Sequence, residues 1–183
     1  GAKRAAAGHP APFNLQYLGL GNEEHITSVF RERFKMMHDA VKAKHPEITV
    51  IGTVGPFHSG EDFEAGWKVA DELGVAMVDE HYYEKPEWFL NNLQRYDGYD
   101  RAKSKVYLGE YASKGNALSN ALAEAAFLTS LERNGDVVRL ASYAPLLARQ
   151  GRTQWRPDMI YFNNTDFILT ANYHVQQMFG QNQ

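Results

Sequence analysis

Glu23 and Glu110 occupy matching places in the chain. Each closes a β-rich run and is followed by a helical pattern: Tyr17-Leu18-Gly19-Leu20-Gly21-Asn22-Glu23 in one case, Lys105-Val106-Tyr107-Leu108-Gly109-Glu110 in the other. A buried parallel strand ending in this way delivers a carboxylate to its C-terminal end, where α/β folds place their chemistry. Taken singly, a strand-end glutamate is most often a solvated or salt-bridged surface group. Two of them on one rim, about 5 Å apart, are the equipment for cleaving a glycosidic bond with retention: one attacks the anomeric carbon and the other protonates the leaving oxygen. The pattern therefore predicts an acid/base and nucleophile pair. A third run, Val75 to Tyr83, ends in Asp79-Glu80-His81-Tyr82-Tyr83. His81 beside two acids could ligate a metal, but no further histidine or carboxylate at ligand spacing completes such a site nearby, and substrate contact is the better reading. Strand alternation aims either Tyr82 or Tyr83 inward. Trp155, in the loop after the last strand, is a candidate stacking platform for a sugar ring.

Helices must position these strand ends. From His25 to Lys44, Ile26, Val29, Phe30, Phe34, Met37 and Val41 recur at helical spacing until Pro46. A short strand follows over Ile48–Gly52. Ser59 and Asp62 resemble a capping box for a second helix that carries Phe63, Trp67, Ala70 and Leu73 and stops at Gly74. Phe63, Trp67 and Trp88 lie on helical faces and read as core. Pro86 opens a third helix running through Tyr96. Ala117 to Arg133 is the plainest helix, with Asn134-Gly135 as a left-handed cap. Val137–Tyr143 is the last strand, Ala144–Asp158 a loop, Met159–Phe162 an extended piece and Tyr173–Phe179 a closing helix. Gly1–Pro12 reads as a loop.

Five strands alternating with helices require a parallel sheet with right-handed crossovers, either doubly wound or part of a (β/α)8 barrel. Gly19-Leu20-Gly21 lacks the third glycine of a dinucleotide fingerprint, and no phosphate-binding GxxxxGK[ST] is present. Polar residues at three strand ends favour the barrel, which builds its sites from several strands. The 183 residues are 44% hydrophobic, enough for one core, and carry a net charge of -3 without a basic stripe, so nucleic acid is not an expected partner. No apolar run approaches the roughly 18 residues of a membrane span, so no membrane partner is expected. Gly1–Ala11 lacks the apolar core of a signal peptide. Cysteine is absent, which excludes disulfides and thiolate chemistry.

Four motifs in order, Tyr17 to Glu24, Val78 to Tyr83, Val106 to Ala112 and Leu140 to Leu146, make the chain resemble the catalytic barrel of the family 51 glycoside hydrolases, the α-L-arabinofuranosidases. The resemblance implies a partial (β/α)8 TIM barrel spanning residues 1–183, from its fourth to its eighth strand, without the first three strands or the C-terminal β-sandwich. It assigns Glu23 as acid/base and Glu110 as nucleophile, Asn22 as the contact to the sugar 2-hydroxyl, and His81 and Tyr83 as further substrate contacts. The acid should then sit in the drier setting, with Glu110 accepting hydrogen bonds from neighbours such as Tyr83. The implied activity is retaining release of terminal arabinofuranosyl residues from arabinan or arabinoxylan. An endoglucanase or xylan-active enzyme of the same family and a non-catalytic barrel fragment are the alternatives. No metal or cofactor is implied. The implied partner is a plant cell-wall polysaccharide, with self-association, or pairing with the missing strands, across open sheet edges. A secreted or periplasmic address is compatible with the family.

Overall fold

A computed structural model describes residues 1–182. After a short α1 (Ala2–Ala6), five strands form one parallel sheet: β1 (Tyr17–Leu20), β2 (Thr49–Thr53), β3 (Met77–Glu84), β4 (Lys105–Ser113) and β5 (Val138–Tyr143). Between them run α2 (Ser28–Lys44), α3 (Glu61–Leu73), α4 (Pro86–Asn91) and α5 (Leu118–Arg133). The strands are hydrogen-bonded in chain order, β1-β2-β3-β4-β5. This order decides between the two architectures. A doubly wound sheet reverses direction at a switch point, whereas right-handed crossovers that always step the same way place every helix on one face. The other face is then the inside of a barrel wall.

The helix-facing side of the sheet carries the main core. Val50, Val78, Tyr82, Val106, Leu108 and Tyr111 pack there with Phe89 of α4 and Phe127 of α5. Helix ends are set locally: Thr27 accepts from the Phe30 N–H to start α2, and Gly74 takes a left-handed conformation to end α3. Gly66 is required inside α3, because a Cβ there would lie 2.6 Å from the Val54 Cα. Helix α3 therefore packs directly on the backbone that follows β2.

Several expectations need correction. The N-terminal segment read as a loop contains α1. The third helix ends at Asn91 and not at Tyr96; Asn92 folds its side chain back onto the Trp88 carbonyl, and turns follow. Asp62 forms no capping box with Ser59, since it faces the β1–α2 loop and accepts from the Ile26 N–H while pairing with His25. Asn134 is not left-handed (φ -106°), its side chain being held by Arg101, Asp97 and the Ser130 carbonyl. The loop over Ala144–Asp158 contains β6 (Leu147–Arg149), which joins β7 (Ile160–Phe162) and β8 (Phe167–Leu169) in a small second sheet. Strands of three residues are too short to show an alternation. α6 (Ala171–Gln181) closes the described chain, capped by Thr170.

Most consequential is β4, which runs three residues past Glu110 to Ser113. It pairs with β3 in register until Glu80↔Leu108 and resumes at His81↔Glu110, so Gly109 is an extra residue. Such a bulge resets which side chains face which way.

Among the described residues β1 and β5 each have one unpaired edge, with Tyr17 and Leu140 exposed beside them. Free, partly apolar edges invite pairing with other chains. The 183-residue chain alone is therefore expected to elute as multimers or aggregate in size-exclusion chromatography with light scattering; a stable monomer would show that the edges are tolerated. A second expectation concerns Gly66→Ala. In an exposed helix this change stabilises by up to about 1 kcal/mol, but against Val54 it overpacks and should destabilise by about 1–3 kcal/mol in thermal or denaturant unfolding.

Candidate active site

The site is assembled on the inner face, at the C-terminal ends of β1, β3 and β4. Alternation along β3 sends Glu80 and Tyr82 towards the helices and Asp79, His81 and Tyr83 inward, and the contacts of each agree. Tyr82 is in the helix-side core and bonds the Tyr96 hydroxyl, while Tyr83 donates to Glu110 Oε2 at 2.5 Å. The inward tyrosine is thus Tyr83. On β4 the bulge makes both Gly109 and Glu110 face inward, between the outward Leu108 and Tyr111. A Cβ at Gly109 would lie 2.0 Å from Asp79 Oδ1, so any other residue there would push the Asp79 carboxyl aside.

Glu23 is positioned from its backbone. Gly21 has φ 103°, and a Cβ there would meet Glu24 Oε2 at 2.5 Å; Glu23 itself has φ 60°. A positive φ at a non-glycine residue persists only where its surroundings hold it, and such residues cluster at functional sites. The Glu23 N–H donates to Thr53 Oγ1 at the end of β2, and the Asn22 N–H donates to Glu24. The turn therefore aims Glu23 across the sheet towards β3.

His81 lies between the carboxylates. Its Nδ1 is 2.8 Å from Glu23 Oε1 and 3.9 Å from Glu110 Oε2, and its Nε2 is 3.1 Å from Asp79 Oδ2. The ring is 2% exposed. Burial alone lowers its pKa, but hydrogen bonding and charge from Asp79, then the bond to Glu23 and the charge of Glu110, outweigh this and push it up to about 9. Burial first, and then the bond and charge of Glu110 with the charge of Glu23, raise the Tyr83 phenol far above its ordinary value. Tyr83 accordingly stays a donor.

Glu23, His81 and Glu110 each bring one polar atom within 4.8 Å of the others. The expectation that nothing completes a ligand set around His81 therefore fails in space, because two distant glutamates converge on it. The geometry is nonetheless that of a hydrogen bond. Two ligands on one tetrahedral ion at about 2.1 Å would stand roughly 3.4 Å apart, and Glu23 and His81 are 2.8 Å apart.

The expected contrast in dryness is also absent. Side-chain exposures of Glu23 and Glu110 are 34% and 32%. What differs is the partner, an imidazole for Glu23 and a phenol for Glu110. Trp155 sits edge-on to Tyr83, ring centroids 5.2 Å apart, and remains partly exposed at the site's margin. Asn22 is exposed beside Glu23. A cavity of about 640 Å³ lies between β1 and α2, lined by Leu20, Phe30 and Met37 together with Asn22 and Glu23 but not by Glu110 or His81. Sequence reasoning missed Asp79, Thr53 and Gly109 as parts of the site. Asp79 had a readable signal, standing two residues before His81 on the same strand face.

Comparison with known proteins agrees with this architecture. The α-L-arabinofuranosidase 1 domain model matches residues 1–101, and the α-L-arabinofuranosidase C-terminal domain model matches residues 96–183. The chain belongs to the family 51 α-L-arabinofuranosidases. It is 54% identical to an extracellular exo-α-L-arabinofuranosidase of Streptomyces chartreusis, over 100% of this chain and 22% of that protein. It is 33% identical to α-L-arabinofuranosidase 2 of Arabidopsis thaliana, over 99% of this chain and 26% of the relative. The structure of arabinose-bound MgGH51 α-L-arabinofuranosidase superposes with a TM-score of 0.89 at 32% identity, over 100% of this chain and 30% of that one. The chain thus spans between a fifth and a third of the length of these relatives and corresponds to part of the barrel. The two domain models meet between α4 and β4, although β3 and β4 form the longest pairing in the sheet.

The pH dependence of stability follows from His81. Its folded pKa is raised, so its contribution is complete below about 6.5, falls as pH rises, and is lost above about 9. The gap in thermal midpoint between the unsubstituted protein and His81→Gln is expected to be largest near pH 6 and to close above pH 9. A gap independent of pH would mean that His81 is not charged in the fold.

Proposed function

We propose that these residues form the catalytic part of a retaining α-L-arabinofuranosidase, with Glu110 as nucleophile and Glu23 as acid/base, acting on terminal arabinofuranosyl groups of arabinan or arabinoxylan. On this reading the 183 residues are one portion of a larger catalytic barrel. The observation that carries the reading is the approach of Glu23 and Glu110 to within 4.8 Å, each held by a different partner. That spacing fits the separation of about 5–5.5 Å used in retaining cleavage and is short of the 6.5–9.5 Å that leaves room for an inverting water. Kinship with proteins named for this activity supports the substrate class.

In the first step Glu110 attacks the anomeric carbon, the glycosidic bond breaks, and Glu23 gives its proton to the departing oxygen. In the second, water is deprotonated by Glu23, its oxygen bonds to the anomeric carbon, and the ester to Glu110 breaks. Tyr83 orients the nucleophile through its hydrogen bond to Oε2, leaving the other oxygen for the sugar. The exposed aromatic edge of Trp155 offers an apolar face next to the same position.

In the intact protein containing these residues, Glu110→Ala is expected to abolish turnover on every arabinofuranoside. Glu23→Ala should slow substrates with poor leaving groups by roughly 10²–10⁴-fold while largely sparing activated aryl arabinofuranosides. Azide should restore product of inverted configuration with Glu110→Ala and of retained configuration with Glu23→Ala. Equal losses on both substrate types for Glu23→Ala would void its assignment.

A further inference from the structure

Asp79 is the one inward carboxylate at the site with no part in the chemistry above. It is largely buried, it stands two residues from His81 on β3, and β4 carries a bulged glycine where any side chain would collide with it. Its Oδ2 meets His81 Nε2 at 3.1 Å, on the opposite side of the ring from Glu23. A neutral imidazole has a single N–H and satisfies one of these two carboxylates as donor. The other nitrogen then presents a lone pair. Asp79 has no second role competing for this contact: its remaining oxygen is buried without a hydrogen-bond partner.

We propose that Asp79 is a positioning residue which keeps the proton on His81 Nε2, so that Nδ1 is the only ring atom able to exchange a proton with Glu23. This rests on the reading of Glu23 as acid/base. One proton is then shared between Nδ1 and the Glu23 carboxyl. When it leaves for the departing oxygen, the Nδ1 lone pair and the Glu23 carboxylate face each other at hydrogen-bond distance, an arrangement that takes a proton back from the incoming water. The proton given to the leaving group in the first step is thereby replaced in the second, and the pair returns to its starting state. A carboxylate holding one imidazole nitrogen so that the other does acid/base work is an established way to select a tautomer. Glu110 and Tyr83 also face this cluster, from β4 and from β3. The raised pKa of His81, to about 9, has the direction expected for a ring between two carboxylates.

Two measurements test this. In the intact protein, Asp79→Asn removes the charge and keeps the shape. The alkaline limb of kcat/KM should move down by roughly one pH unit or more, and hydrolysis of a substrate with a poor leaving group should fall by roughly 10–10²-fold at neutral pH. An activated aryl arabinofuranoside should change by less than about threefold, since it needs little protonation. An unmoved alkaline limb, or equal losses on both substrates, would reduce Asp79 to a structural residue. The second measurement needs no variant and no turnover: ¹⁵N-histidine NMR of the unsubstituted protein should show Nε2 protonated throughout the titration of His81 and Nδ1 changing. A ring that keeps its proton on Nδ1 at high pH would overturn the proposal. Glu23→Ala run beside these separates the two readings: loss of its leaving-group selectivity removes the acid/base assignment, while the NMR result still decides the tautomer.

Discussion

The extra residue in β4 governs the site. Without the bulge, strict alternation from the outward Leu108 would turn Gly109 inward and Glu110 outward, into the helix layer. With it, Glu110 comes level with His81 on the inner face and Tyr111 still reaches the core. The space opened at Gly109 is filled by Asp79 of the neighbouring strand. One local irregularity therefore aims Glu110 and seats the carboxylate that holds His81. It is a constraint between the backbone of β4 and a side chain of β3: a Cβ at Gly109 would displace the Asp79 carboxyl from its place beside His81.

Behind the sheet, a second set of buried charges keeps these strands in place. Glu80 is fully buried and accepts from Trp67, Arg95, Tyr96 and Tyr99, while the Arg95 guanidinium lies over the rings of Phe63, Tyr82, Trp88 and Tyr96. A buried ion pair adds little net stability against a well-packed apolar alternative, but breaking one partner leaves an uncompensated charge. Here both oxygens of Glu80 are satisfied, so β3 is tied to α3 and to the turns after α4 at the residue preceding His81. Glu124 has a comparable place under β4, accepting from the Ser113 N–H and from Asn172 of α6. Burial pushes its pKa up to about 7, against the opposing effect of those bonds. The inward face holds Asp79, His81, Tyr83 and Glu110, and the outward face of the same strands holds the polar anchors.

The sequence disclosed as much of this as lies in period and spelling. Five strands alternating with helices, and hence a parallel sheet, follow from apolar spacing, and the Gly-Asn-Glu and Gly-Glu endings point to Glu23 and Glu110. What stayed hidden depends on contacts between segments. A bulge leaves no mark within a single strand, because it is defined by the register of its partner. Whether Asp62 caps its own helix or a loop from another unit depends on where His25 and Ile26 arrive. Tyr82 and Tyr83 could be told apart only once β3 had a known inner face. The convergence of His81 with glutamates 58 and 29 positions away is likewise a property of the sheet.

Curvature is the remaining requirement. Glu23 follows β1 and Glu110 lies on β4, three strands away in the sheet. In a flat sheet these strands would be about 14 Å apart, yet carboxyl oxygens from the two approach within 4.8 Å. The side chains lean towards each other from a wall that bends around them, with His81 on β3 filling the gap between. A barrel supplies that bend by closing. Among the described residues β1 and β5 are the open margins, and β1 is the strand that carries Glu23. Flattening at that margin would draw Glu23 away from His81 before it disturbed Glu110, Tyr83 or Asp79, which share the long β3–β4 pairing. The position of Glu23 thus depends on what pairs with β1, whereas Glu110 and the Tyr83 phenol that bonds it are set by strands already paired on both sides.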